Sequence, residues 1–154
     1  MLAEVRIRAV ASNHPVTRSS SEFDEWGEIS PEAKGMEISR WLIEAKLAGE
    51  WQEVGNLSAH AVWYGPTQSS KAMNIGISII EEFRGQGFGS IAQKLLAEEL
   101  HRQNYVRVEA STDVTNIAEQ KALQKAGFSY EGTLRKAQGR ASGVHDLQVW
   151  SHIS

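Results

Sequence analysis

Residues 73–100 read MNIGISIIEEF, then RGQGFGS, then IAQKLLAEEL. The first piece is rich in isoleucine from Asn74 to Ile80, the composition of a buried strand. The last piece sets Ile91, Leu95 and Leu96, with Ala92 and Leu100, on one helical stripe. Between them Gly85, Gly87 and Gly89 alternate behind Arg84. A strand that turns through glycines into a helix presents unpaired backbone N–H groups at the helix N-terminus. Glycines let a large anion approach that backbone, and the helix dipole favours its charge. The expected ligand is a phosphate or pyrophosphate.

Spacing selects among phosphate loops. A dinucleotide fingerprint requires G-x-G-x-x-G, but its third glycine position is Ser90, and Glu109 is a weak stand-in for the ribose-binding acid. A P-loop requires Gly-Lys-Ser/Thr at its end, and the chain has none. Arg84-x-x-Gly87-x-Gly89 instead resembles the pyrophosphate loop of the GNAT superfamily of acyl-CoA-dependent N-acetyltransferases. A glycine-rich strand-to-helix turn also serves as a purely structural device.

Length and composition bound the rest. The 154 residues suit one domain with a substantial core, and 41% hydrophobic with 23% charged residues is ordinary for a globular protein. A formal net charge of -3 argues against a nucleic-acid binder, which would carry a basic face. The absence of cysteine removes disulfides, thiolate metal sites and a cysteine nucleophile together. His14, His60, His101, His145 and His152 are scattered without ligand spacing, so no metal is expected. Glu4, Arg6 and Arg8 interrupt any signal peptide, and the apolar runs are too short to span a bilayer. A soluble, cytoplasmic protein is the expectation.

Along the chain, Val5, Ile7 and Ala9 alternate with Arg6 and Arg8 as an opening strand. Asn13 to Ser21 is a polar loop with Pro15 and a serine triplet, and Glu22 to Trp26 suits a short helical turn. Ser30-Pro31-Glu32 is a helix start, with Ile38, Trp41, Leu42 and Ala45 at i, i+3, i+4 and i+7 and a stop at Gly49. Strands are expected near Glu50–Val54 and Leu57–Tyr64, broken at Gly55-Asn56. After the glycine-loop helix come a strand from Tyr105 to Ser111 and a loop to Thr115. A helix capped by Asn116 then runs to Ala126-Gly127. Phe128 to Leu134 and Val144 to His152 are the final strands, with Lys136 to Gly143 as a loop. The order is βα-βββ-αβ-αββ, and the helix between the strands near 80 and 105 makes them a parallel pair.

Two further stretches carry the resemblance. One is Asn116-x-x-Glu119 followed by Leu123-x-Lys125-x-Gly127-Phe128; the other is Glu131-Gly132-x-x-Arg135 with Asp146 beyond. In this order they are similar to the branch of the GNAT superfamily that contains the ribosomal-protein N-terminal acetyltransferases. The resemblance covers nearly the whole chain, residues 1–154, as a single domain. It implies an α/β (α+β) fold: a mixed, mostly antiparallel sheet, helices on both faces, and a splayed central parallel strand pair.

The resemblance also implies a ligand set. The backbone from Arg84 through Gly85, Gln86, Gly87, Phe88 and Gly89 to Ser90 would hold the pyrophosphate of acetyl-CoA. The strand carrying Ile77 and Ile79 would pair with the pantetheine arm. Asn116 would hydrogen-bond pantetheine, and Lys121 or Lys125 would meet the adenosine phosphates. The plainer alternatives are a helix cap for Asn116 and a solvated helix face for the lysines.

Acetyl transfer needs a deprotonated amine, a polarised thioester carbonyl and a proton for the leaving thiolate. Glu109 is the first candidate for general base, with partnership to Arg107 as its structural alternative. Glu82 and Glu81, alternatively a solvated strand end, come next, and Asp113 is third. His145 and Asp146 lie on the final strand, at an acceptor pocket or as an edge pair. Many GNAT enzymes carry a tyrosine where this chain has Leu123, and the serine typical of the branch is Glu119. The thiolate's proton therefore has no clear owner, with Tyr105, Tyr130 or water as substitutes. With no cysteine, direct attack in a ternary complex is the expected mechanism; a serine acyl-enzyme stays open, though no serine stands paired with a base.

The implied acceptor is a primary amine, on a small molecule or a protein N-terminus, lined by Ser12–Gly27 and Lys136–Gly143. Trp26 and Trp41 are candidate walls, or core. The competing readings are a catalytically inactive acyl-CoA-binding sensor and a nucleotide-binding domain. A homodimer through the final strands is compatible with the resemblance.

Overall fold

The structure, a computed structural model, describes residues 3–18 and 21–154. Two members of the serine triplet, Ser19 and Ser20, lie outside the described residues. Seven strands form one sheet: β1 (Val5–Val10), β2 (Ser39–Leu47), β3 (Glu50–Trp63), β4 (Lys71–Ile79), β5 (Arg107–Asp113), β6 (Ser129–Arg140) and β7 (Gly143–Ile153). Their order across the sheet is β1-β2-β3-β4-β5-β7-β6, and only β4 and β5 run parallel. The helices are α1 (Pro31–Lys34), α2 (Phe88–Arg102) and α3 (Ile117–Lys125).

The isoleucine-rich stretch is β4, at the middle of the sheet, and α2 is the crossover that returns the chain parallel to it. Strand alternation sends Met73 and Ile75 to the face where α2 and α3 pack. There they join Phe88, Leu96, Leu100, Val108, Leu123 and Phe128 in one core. Leu96 and Leu123 are fully buried, and each such side chain stabilises the fold by roughly 1.5–3 kcal/mol. The opposite face carries Asn74, Gly76 and Ser78 from β4 and Glu109, Ser111 and Asp113 from β5. On that side the 3-10 turn Glu22–Asp24 is fastened by Arg140 of β6, whose guanidinium donates to the Phe23 carbonyl and lies 3.4 Å from Asp113.

β4 and β5 pair only at Met73–Val108, Asn74–Glu109 and Ile75–Ala110. Beyond Ile75, β4 keeps its partner β3 as far as Ile79 but has none in β5. This is the splay implied by the resemblance. It leaves one edge of the Gly76–Ile79 backbone without a strand partner.

Three expectations fail. The helix that starts at Ser30-Pro31 lasts four residues, and Trp41, Leu42 and Ala45 belong to β2 instead. Trp41 to Ala45 is buried without a break, because β2 lies between β1 and β3 with the core on one side. On the other side Glu44 is held by Arg6 and Arg8 at 3.0 and 3.2 Å. A register shift between Ile43 and Glu44 also removes the period of two. Gly55-Asn56 does not interrupt β3. A Cβ on Gly55 would stand 2.3 Å from the Ser78 carbonyl oxygen, so glycine is there to admit the neighbouring strand. Finally, Lys136 to Arg140 is strand, with an irregularity between Leu134 and Gln138, and the hairpin turns only at Ala141-Ser142.

Candidate active site

The glycine loop forms the left-handed turn that its composition requires. Gly85 and Gly87 have φ of +76° and +83°, and Gly87 is the N-cap of α2. Phe88, Gly89 and Ser90 follow as the first helical residues, so their N–H groups are orphans of the first turn. The Phe88 side chain is buried in the core, leaving only its backbone for a ligand. Arg84 donates through Nε to the Ile79 carbonyl at 3.3 Å, which ties the loop to the end of β4.

A groove of about 480 Å³ runs from this loop into the splay. It is lined by Ile77 and Ile79 of β4, by Arg84, Gly85, Gly87, Phe88, Gly89 and Ser90, and by Asn116, Lys121 and Lys125 of α3. Those are the residues the resemblance singled out, except Gln86, which is exposed in the loop outside the lining. Asn116 does cap α3, its Oδ1 accepting from the Glu119 amide at 3.2 Å, and it borders the groove as well. Lys121 and Lys125 are exposed, so they can turn toward a polyanion.

Two acids in the lining were not among the predicted site residues. Glu119 accepts a hydrogen bond at 3.0 Å from Nε2 of Gln93, a buried amide that also donates to the Gly89 carbonyl at 3.2 Å. Burial raises the Glu119 carboxyl from its ordinary 4.5 to about 7, against the opposing pull of the Gln93 amide. Asp24 is raised too, by burial, with Arg84 and Arg140 countering in part. The signal for Glu119 was its departure from the branch's serine. Asp24 left no signal, because it arrives from a distant turn.

The two carboxylates proposed as catalytic do not border the groove. Glu109 is buried on the polar face, where its Oε2 accepts from the Tyr64 hydroxyl at 2.8 Å and from Arg107 Nε at 2.9 Å. Asn74 reaches its Oε1 at 3.4 Å. Arg107 in turn makes a two-pronged contact with Glu131 at 2.8 and 2.9 Å, and Ser151 also donates to Glu131. That fork holds the Glu131 carboxyl down at about 2. Glu109 is thus the centre of an ion-paired cluster. Glu82 is exposed in the 3-10 turn Glu81–Phe83 that follows β4.

Other candidates are distributed differently from expectation. Leu123 and Trp41 are core residues. Tyr130 is exposed and shares a 2.7 Å hydrogen bond with Thr133, and Tyr105 packs beside Lys71. Trp26 lies under the Arg140 guanidinium at 4.3 Å. Asp146 accepts from the Lys136 amide at 2.8 Å, fixing the left-handed residue Lys136 in β6. Asp113 is buried and contacts Nδ1 of His145 at 2.7 Å, while the Ser142 hydroxyl stands 2.8 Å from His145 Nε2. A serine paired with a base therefore exists after all, joined across a hairpin and a strand. Among the described residues no cluster of His, Cys, Asp and Glu suits a metal ion, and no helix is long and apolar enough to cross a membrane.

Comparison with known proteins agrees with this geometry. The model of the acetyltransferase (GNAT) domain matches residues 2–129. The uncharacterized N-acetyltransferase YoaA of Bacillus subtilis (strain 168) is 26% identical over 139 residues, 90% of this chain and 73% of that protein. A RimL ribosomal L7/L12 alpha-N-protein acetyltransferase in complex with coenzyme A is similar at a TM-score of 0.63 and 25% identity. That match covers 79% of this chain but 64% of the RimL chain. A ribosomal-protein-S5-alanine acetyltransferase from Vibrio fischeri shares the fold at a TM-score of 0.63 and 22% identity, over 75% of this chain and 61% of its own. The chain thus spans under two thirds of the length of these solved relatives. With the glycine loop, the splay and the order of strands all in agreement, the chain belongs to the GNAT family of acetyltransferases.

Proposed function

We propose that this chain moves an acetyl group from acetyl-CoA to a primary amine by direct attack in a ternary complex. The observation that carries the reading is the groove, which joins an anion-receiving helix N-terminus to an unpaired strand edge. The backbone from Arg84 to Ser90 holds the pyrophosphate, with the Gln86 amide contributing from the loop. The edge at Ile77 and Ile79 pairs with the pantetheine amides, assisted by Asn116. Lys121 and Lys125 neutralise the adenosine phosphates. The amine attacks the carbonyl carbon, the C–N bond forms and the C–S bond breaks. Holding both substrates side by side supplies much of the acceleration.

The proton for the leaving sulfur comes from Glu119. A carboxylate beside that sulfur would oppose a thiolate, but a carboxyl that titrates at about 7 still carries a proton near neutrality. Glu109 keeps its candidacy as base only if it gives up Arg107 or Tyr64 on acceptor binding, and Glu82 only by closure of its turn. The acceptor is a protein N-terminus or a small amine; the likeness to ribosomal-protein acetyltransferases favours the former. The reaction would take place in the cytoplasm, where acetyl-CoA is available.

Calorimetry with coenzyme A, followed by a thiol-release assay with peptides and small amines, tests the reading. Binding in the groove and release of thiol with at least one amine class is the expected result. Binding without turnover across the panel would instead favour the acyl-CoA sensor, and absence of binding would remove both.

A further inference from the structure

Beyond the last β4–β5 pair, the polar face of the sheet carries a second cluster of titratable side chains, built on Asp113 and His145. Asp113 ends β5, three residues past the last β4–β5 pair, on the face away from α2 and α3. Its Oδ1 accepts from the Thr115 amide at 2.9 Å and the Thr115 hydroxyl at 2.8 Å, which immobilises the carboxylate. Its Oδ2 makes ion-pair contacts with His145 Nδ1 at 2.7 Å and Arg140 Nε at 3.4 Å, neither in hydrogen-bond geometry. A carboxylate this close to Nδ1 electrostatically favours a proton on that nitrogen, the tautomer in which Nε2 is the acceptor. Nε2 is met by the Ser142 hydroxyl, an exposed group on a hairpin turn that a ligand can displace.

Asp113, Ser142 and His145 do not line the groove themselves; Arg140 connects them to it. Arg140 bonds the Phe23 carbonyl and lies beside Asp113, while Phe23 and Ser78 line the groove. Ser78 shares Asp113's face of the sheet and stands across the splay from it. The charged groups around His145 are Asp113 from β5, Arg140 from β6 and Asp24 from the turn, which reaches it through Arg140. Gln138 on β6 is its cross-strand neighbour, and Asp146, next in the chain, is turned to Lys136. Unlike Glu109, His145 has a nitrogen free to exchange partners without breaking an ion pair.

We propose that His145, oriented by Asp113, is the general base that takes a proton from the acceptor ammonium. This rests on the acetyl-transfer reading and deepens it. The ammonium hydrogen-bonds to Nε2 in place of Ser142 and transfers one proton to it. The neutral amine then attacks the thioester carbonyl; as the C–S bond breaks the nitrogen sheds its second proton to solvent, Glu119 regains from solvent the proton it gave to sulfur, and the imidazolium releases its own.

The test compares wild type, His145→Gln and Glu109→Gln by the pH dependence of kcat/KM and by coenzyme A affinity. His145→Gln is expected to bind coenzyme A as wild type does, to lose on the order of 10²-fold in kcat/KM, and to lose the acid limb of the profile. Glu109→Gln is expected to keep that limb. Asp113→Asn should lower kcat while leaving KM for acetyl-CoA in place, with circular dichroism confirming its fold. If the limb persists in His145→Gln with activity within about threefold of wild type, the proposal falls while acetyl transfer stands. An acetyl group found covalently on Ser142 also overturns it, because the serine would then be the nucleophile. Wild type that binds coenzyme A but acetylates no amine overturns the functional reading and this one with it.

Discussion

Replacing Glu119 with glutamine should make the protein more stable at alkaline pH and leave it unchanged in acid. Folding raises this carboxyl from 4.5 to about 7, and the main cause is burial between α2 and α3. Below 4.5 the group is protonated in both states and contributes nothing to the difference. Between 4.5 and 7 the unfolded chain ionises first, so stability falls as the pH rises. Above 7 the folded protein must ionise a desolvated acid. At about 1.4 kcal/mol per pH unit the full penalty is about 3 kcal/mol. The carboxyl lines an open groove, so solvent screening brings the expectation to ~1–3 kcal/mol.

Glutamine removes the penalty and keeps the contact, because its Oε1 accepts from Gln93 Nε2 as the carboxylate oxygen does. For a chain of this length each kcal/mol moves Tm by roughly 2–4 °C. Melting followed by circular dichroism at pH 4, 6 and 8, at fixed ionic strength, should show no difference at pH 4. Glu119→Gln should lead by several degrees at pH 8. A difference independent of pH, or a wild type that melts higher at pH 8, would refute the burial argument. The proton-donor role assigned to Glu119 would be lost with it.

Other outcomes follow from the same geometry. Gly89→Ala should leave Tm within about 1 °C, since a Cβ there meets only Ile77 and Ile79 at 3.7 and 3.8 Å. It should nonetheless weaken coenzyme A binding by on the order of tenfold, read by calorimetry, because the methyl stands at the anion's approach. Gly87→Ala, at φ +83° with open space around it, should cost about 1–2 kcal/mol through backbone strain alone, measured by urea unfolding. Arg107→Ala should destabilise by about 3 kcal/mol or more, because it strands the buried Glu109 and releases Glu131. In wild type the Glu131 carboxyl sits at about 2, so its contribution is present above pH 4.5 and disappears as the pH falls toward 2. That part of the acid transition should be missing in Arg107→Ala.

The parts of the fold that could be read from the residues were those set by local chemistry. The β4–loop–α2 unit follows from isoleucines, three spaced glycines and a helical stripe. Asn116 announces α3, and Ala126-Gly127 ends it. The misread parts are those where neighbours overrule the local pattern. Trp41, Leu42 and Ala45 have helical spacing, yet they sit in an interior strand between β1 and β3 and are buried without a break, so strand periodicity never shows. Gly55 looks like a break but is a point of close approach to β4.

The sequence by itself determined the left-handed glycine turn that opens α2, because such a turn depends on consecutive residues alone. Tertiary structure decided which acids and bases can act. Glu109 is consumed by Tyr64, 45 residues away, and by Arg107. Glu119 holds its proton because folding buries it, against the pull of Gln93, 26 residues earlier on α2. Asp113, Ser142 and His145 meet only where β5 pairs with the hairpin of β6 and β7. Proton affinity depends on burial and on charges within a few ångströms, and those distances exist only once the sheet has formed.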